Sequence, residues 1–175
     1  MIATLELPAR PLTLDDVAQL AEGDEFHRFE LSEGNLVVVP PATWDHQKVC
    51  ADMAVWLMAN GHQGRVNIAV GLQTAGDNLN GRVPDVVVAS GPVPGDTVWL
   101  PPGLVALAVE IVSKGSERAD RWFKPLEYAE VGIPWFWRVE PDETVVRFHL
   151  EDGQYVEVGR AALDELLASD VPDLS

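Results

Sequence analysis

Hydrophobic and polar positions along this chain change period several times, and each change marks an element. Residues 11–21 (PLTLDDVAQLA) space their apolar side chains helically, with Thr13 as an N-cap and acids in the first turn, which predicts a helix. Residues 26–31 and 35–39 read as two strands turned by Ser32-Glu33-Gly34, a hairpin. After Pro40-Pro41, residues 43–61 (TWDHQKVCADMAVWLMANG) put Val49, Met53, Trp56 and Leu57 on one helical face, and Gly61 is a suitable stop.

Residues 65–76 and 82–90 read as strands separated by the turn sequence GDNLNG, and the proline- and glycine-rich residues 91–103 as a surface loop. Residues 104–112 (LVALAVEIV) are apolar on both faces, the pattern of a central strand covered on both sides. Residues 116–132 predict a helix closing at Gly132. PWFWRVE, TVVRFHL and QYVEVG then form a meander turning at PDE and EDG, and ALDELLA a short last helix. No repeat or linker interrupts the pattern. It predicts a single α/β domain with a mixed sheet over residues 1–175.

Composition narrows the class. At 175 residues, with 47% apolar and 23% charged residues, the chain can bury one sizeable core. The single cysteine, Cys50, excludes an internal disulfide, and no Cys/His cluster has zinc-ligand spacing. The opening MIATLELPAR lacks the basic and apolar regions of a secretory signal, and no apolar run approaches the ~20 residues that span a bilayer. The expectation is a cytoplasmic protein without a membrane segment. The formal charge of −16 repels nucleic acid at long range, so any phosphate site must be local. The segment 113–124 is such a place: it carries Lys114, Arg118, Arg121 and Lys124 against Glu117 and Asp120.

Two acids stand where acids are costly. Pro84 opens the apolar run VVVAS, which places Asp85 near a strand end. Glu110 lies inside the central strand, where an unpaired carboxylate costs several kcal/mol and must be protonated, paired or metal-bound. Two acids on neighbouring strands suit a hard cation such as Mg²⁺, with a backbone carbonyl such as that of Ile111 as a further ligand. An ion pair between Glu110 and a nearby base explains the spacing equally well. Asp120, Lys124 and Tyr128 are four residues apart and line one helical face. Lys114 is on the strand face of Glu110 but ~13 Å further along an extended chain. Pro125 requires the helix to begin close before it.

PDVVV, then VEIVS, then the D-x-x-x-K-x-x-x-Y helix and GIPWFWRVE resemble the Uma-type restriction endonuclease family of the PD-(D/E)XK nuclease superfamily. FELSEGNLVVVPPATWDHQKV resembles that family's opening hairpin and helix start, so the likeness covers about residues 26–150, the core of an endonuclease-like domain. The resemblance implies a restriction-endonuclease-like mixed β-sheet flanked by helices and Mg²⁺- or Mn²⁺-dependent hydrolysis of DNA phosphodiesters. It also implies a homodimer, which an exposed aromatic strand around Trp135 and Trp137 would support. Matched by position, Asp85 and Glu110 are its catalytic, metal-binding acids and Glu30 an upstream acid of the same site. The superfamily lysine belongs two residues after the acid, but Val112 stands there; the family's helix pattern transfers the role to Lys124. His46 and Gln73, with Lys114, Asp120 and Tyr128, are candidates for contacts to phosphate or around the metal. Trp122, Trp135 and Trp137 read as core or interface residues, with base stacking as the alternative. Two other functions remain open: a non-catalytic interaction protein on the nuclease fold, and a metal-dependent hydrolase of a small phosphorylated substrate.

Overall fold

In a computed structural model, which describes residues 7–22 and 27–174, Thr13 caps the first helix, α1 (Leu14–Glu22). The Thr13 hydroxyl accepts from the Asp16 amide, and the Asp16 carboxylate accepts from the Thr13 amide, so two otherwise unpaired donors are satisfied reciprocally. The hairpin follows as β1 (Arg28–Ser32) and β2 (Asn35–Val39); Phe26, the first residue of the predicted strand, lies outside the described residues. Its turn needs Glu33 and Gly34 at φ 51° and 74°, a two-residue turn that matches strand twist.

The long helix α2 (Trp44–Leu57) is capped by Thr43, whose hydroxyl accepts from the His46 amide at 3.4 Å. Its predicted face is buried: Val49, Met53, Trp56 and Leu57 pack on the sheet together with Trp137.

The two predicted middle strands are each broken in two. Ala69, at φ 54°, separates β3 (Val66–Ile68) from β4 (Gly71–Gln73), and Pro84 lies between β5 (Gly81–Arg82) and β6 (Val86–Ala89). The expected surface loop 91–103 contributes β7 (Trp99–Leu100), which pairs in parallel with β4. The single mixed sheet is therefore two mixed sheets, in the orders β2-β1-β5-β4-β7 and β11-β10-β9-β8-β6-β3. Here β8 is Val105–Ile111, β9 Trp135–Val139, β10 Thr144–Glu151 and β11 Gln154–Ala162. β8 is buried throughout, antiparallel to β6 and parallel to β9.

The helix after β8 starts as a wide turn over Ala119–Phe123 and continues as α3 (Lys124–Glu130), with Pro125 in its first turn. Proline offers no N–H and its ring crowds the carbonyl four residues back, so the turn before it opens, and the Lys124 amide reaches Ala119 instead. Gly132, at φ 78°, closes α3 and lets the Ile133 amide return to the Tyr128 carbonyl. The meander and the last helix, α4 (Leu163–Leu167), follow the prediction. α2 and α4 cover one face of the second sheet; Tyr128 from α3 packs on the other with Ala108 and Phe136. No described helix is long and apolar enough to cross a membrane.

Candidate functional site

Among the described residues, the buried charged side chains are Glu30, Arg82, Asp85, Glu110, Asp120 and Lys124, and they lie in one cluster where the two sheets meet α3. Each buried ion costs several kcal/mol unless paired, so six in one place are a concentrated expense of stability.

Glu110 projects from β8 with both oxygens engaged. Tyr128 donates its hydroxyl to Oε1 at 2.5 Å, and Lys124 donates to Oε2 at 2.7 Å. Lys124 also lies 3.0 Å from Asp120 Oδ1 and 3.6 Å from Glu30 Oε1. The approach to Asp120 is short but poorly aligned, an ion pair without a hydrogen bond, and Oδ1 has no other partner. Glu30, on β1, accepts from the Val83 amide at 3.1 Å and from Arg82 at 3.2 Å, while Arg82 also grips Glu127.

Asp85 sits immediately before β6. Its Oδ2 accepts from the Ile111 amide at 2.8 Å and lies 3.3 Å from His46 Nε2; its Oδ1 accepts from Arg28 at 3.2 Å. On the other side of the imidazole, Nδ1 faces the buried Cys50 sulfur at 3.6 Å.

Burial, then the charges and hydrogen bonds facing each group, set the protonation of the cluster. Burial pushes the Glu110 carboxyl well above its ordinary range; Lys124 opposes this, but Asp85, Asp120 and Glu30 add to it. Burial alone would lower the Lys124 amine, yet Glu110, Glu30 and Asp120 hold it well above its usual value as an ammonium. Tyr128 stays a phenol donor, raised by burial and by Glu110. Asp85 is buried, which raises it, but hydrogen bonding to His46 and the Ile111 amide brings it below its ordinary value. His46, hydrogen-bonded to Asp85 and then to Cys50, is pushed up to about 10 and is an imidazolium at neutral pH.

The structure thus brings Glu30, Asp85, Glu110, Asp120, Lys124, Tyr128, His46 and the backbone of Ile111 together. One candidate lies apart from it, and a second makes no hydrogen bond to it among the described residues. Lys114 is exposed in the turn after β8, and no hydrogen bond joins the half-buried Gln73 side chain to the cluster. Of the tryptophans, Trp137 is core and Trp135 half-buried, so β9 offers no exposed aromatic face for a partner. Trp122 is 68% exposed, beside Phe123 and Leu126, which removes the core reading for it and leaves the interface and stacking readings. Sequence reasoning missed Arg28, Arg82 and Cys50. Arg28 stands two residues before Glu30, on the same strand face, and Arg82 two before Pro84, so the logic that singled out Glu110 could have reached both.

This mixed-sheet architecture is that of a nuclease fold. The structure is similar to a crystal structure described as a "putative nuclease belonging to DUF820" from Anabaena variabilis, with 20% identity, 84% of each chain covered and a TM-score of 0.65. The sequence matches the Uma2 family, described as "Putative restriction endonuclease", over residues 14–175, and the chain belongs to that family. No curated protein matches it.

Proposed function

We propose that this protein is a divalent-metal-dependent DNA endonuclease in which Asp85, Glu110 and Glu30, with the carbonyl of Ile111, hold Mg²⁺ or Mn²⁺. The observation that carries this reading is the gathering of all the buried charges among the described residues around Glu110. Strongly perturbed groups collected at one point are a signature of a working site.

The donor set fits a hard cation. It consists of oxygens, Glu110 faces Asp85, Asp120 and Glu30 against Lys124, and the buried Asp120 Oδ1 lacks a hydrogen bond. The group His46, Cys50 and Asp85 also lies close together, but sulfur suits a softer metal. Its Cys50 and Asp85 also address opposite nitrogens of one imidazole. A bound Mg²⁺ supplies activation of water and neutralisation of phosphate charge. The chain's own residues do the rest. Tyr128 fixes the Glu110 carboxylate, Arg28 and His46 orient Asp85, and Lys124 brings positive charge to the attacking water or the phosphate.

Supercoiled DNA incubated with Mg²⁺ tests the proposal. Asp85→Asn and Glu110→Gln should each reduce nicking by more than the ~10–100-fold typical of residues that only orient a ligand, with folding intact. Nicking undiminished in both variants would exclude the assignment. The net charge of −16 favours a second reading, a hydrolase of a small phosphodiester, and such substrates in the same assay separate the two. The proposal retains two expectations from the sequence. One is a homodimer, with exposed Trp122, Phe123 and Leu126 on one surface beside the site, checked by light scattering. The other is a reducing cytoplasm, which suits the unbridged Cys50.

A further inference from the structure

The Lys124 ammonium is surrounded by Glu110 Oε2 at 2.7 Å, Asp120 Oδ1 at 3.0 Å and Glu30 Oε1 at 3.6 Å, from three different elements. Asp85, by contrast, is already neutralised by Arg28, His46 and the Ile111 amide. Asp120 is 1% exposed, and its Oδ1 points at the ammonium without a hydrogen bond. Three converging carboxylates, one of them short of a donor, are an oxygen cage for a cation, and the cation inside it is the protein's own.

We propose that Glu30, Glu110 and Asp120 form a divalent-cation position that the Lys124 side chain fills in the metal-free protein, so that ion entry and lysine departure are one exchange. The inference rests on the metal-dependent reading above; it keeps Glu30 and Glu110 from that ligand set and puts Asp120 in the place given there to Asp85. A divalent ion outcompetes an ammonium in such a cage because its attraction to each carboxylate is doubled. The exchange also frees the ammonium at the first residue of α3, so the charge that meets phosphate is released only when the ion is in place.

Calorimetric titration of the full chain with Mn²⁺ tests this. Lys124→Met, which leaves the cage without a competitor, should bind Mn²⁺ at least about tenfold more tightly than the parent. Lys124→Arg, which keeps the charge, should show no tightening. Asp120→Asn should bind at least about tenfold more weakly, since the divalent ion loses more than the ammonium does. Lys124→Met should also melt lower without metal and recover with Mn²⁺, a linkage that a merely structural lysine would not show. Unchanged or weaker affinity in Lys124→Met, or unchanged affinity in Asp120→Asn, overturns the exchange. Where Lys124→Met does not fold, the Asp120→Asn affinity alone decides. Loss of nicking in Asp85→Asn without tightening in Lys124→Met rejects the exchange and leaves the nuclease reading. Tightening in a protein that nicks no DNA does the reverse.

Discussion

Glu110 has no freedom left: a phenol holds one oxygen and an ammonium the other. That it must be paired, protonated or metal-bound was legible because an acid in an uninterrupted apolar strand has few explanations. The helical spacing of Asp120, Lys124 and Tyr128 was legible for a similar reason, since four-residue steps share a face. Arg28 and Arg82 were passed over: Arg28 lies in a strand read correctly and Arg82 in one read without its break at Pro84, and only the folded sheets show that they reach Asp85 and Glu30. Tyr128→Phe keeps the ring and removes one donor to a buried carboxylate. It should lower stability by about 1–3 kcal/mol in a urea melt and reduce nicking, because Glu110 loses its orientation.

At the scale of elements, long periodic segments kept the form their sequence predicts, and α2, β8 and the meander stand where expected. The middle of the chain did not. Residues 65–90 carry strand composition, but a left-handed Ala69 and a proline at 84 divide them between two sheets, and neither residue announces which sheet the chain will join. That division places Asp85 at the junction. The β1–β2 turn presents Glu30 in a similar way. Gly34 sits at φ 74°, and a Cβ there would lie 2.5 Å from the Pro11 Cβ. Gly34→Ala should therefore destabilise the fold by roughly 1–3 kcal/mol, read as a lower melting temperature.

At the scale of the whole molecule, charge and pH set the working range. His46 is raised from its ordinary 6.5 to about 10, so the stability it contributes is full below about pH 6.5 and fades as pH rises toward 10. Asp85 is lowered from 3.8, so its contribution is present above that value and is lost as pH falls below it. The pair therefore supports the fold most between about pH 4 and 6.5. His46→Gln should flatten the decline of melting temperature between pH 6.5 and 10; an unchanged profile would mean that the Asp85 contact contributes nothing. The chain's formal −16 gives DNA little long-range attraction, so association should depend on divalent ion and weaken with salt. On the proposed function, the carboxylate cluster around Glu110 is a cation site. Anomalous scattering from a crystal soaked in Mn²⁺ tests it most directly. A manganese peak is expected within coordination distance of Glu110 and at least one of Glu30, Asp85 and Asp120. A peak held by His46 and Cys50 instead, or none at the cluster, would contradict it.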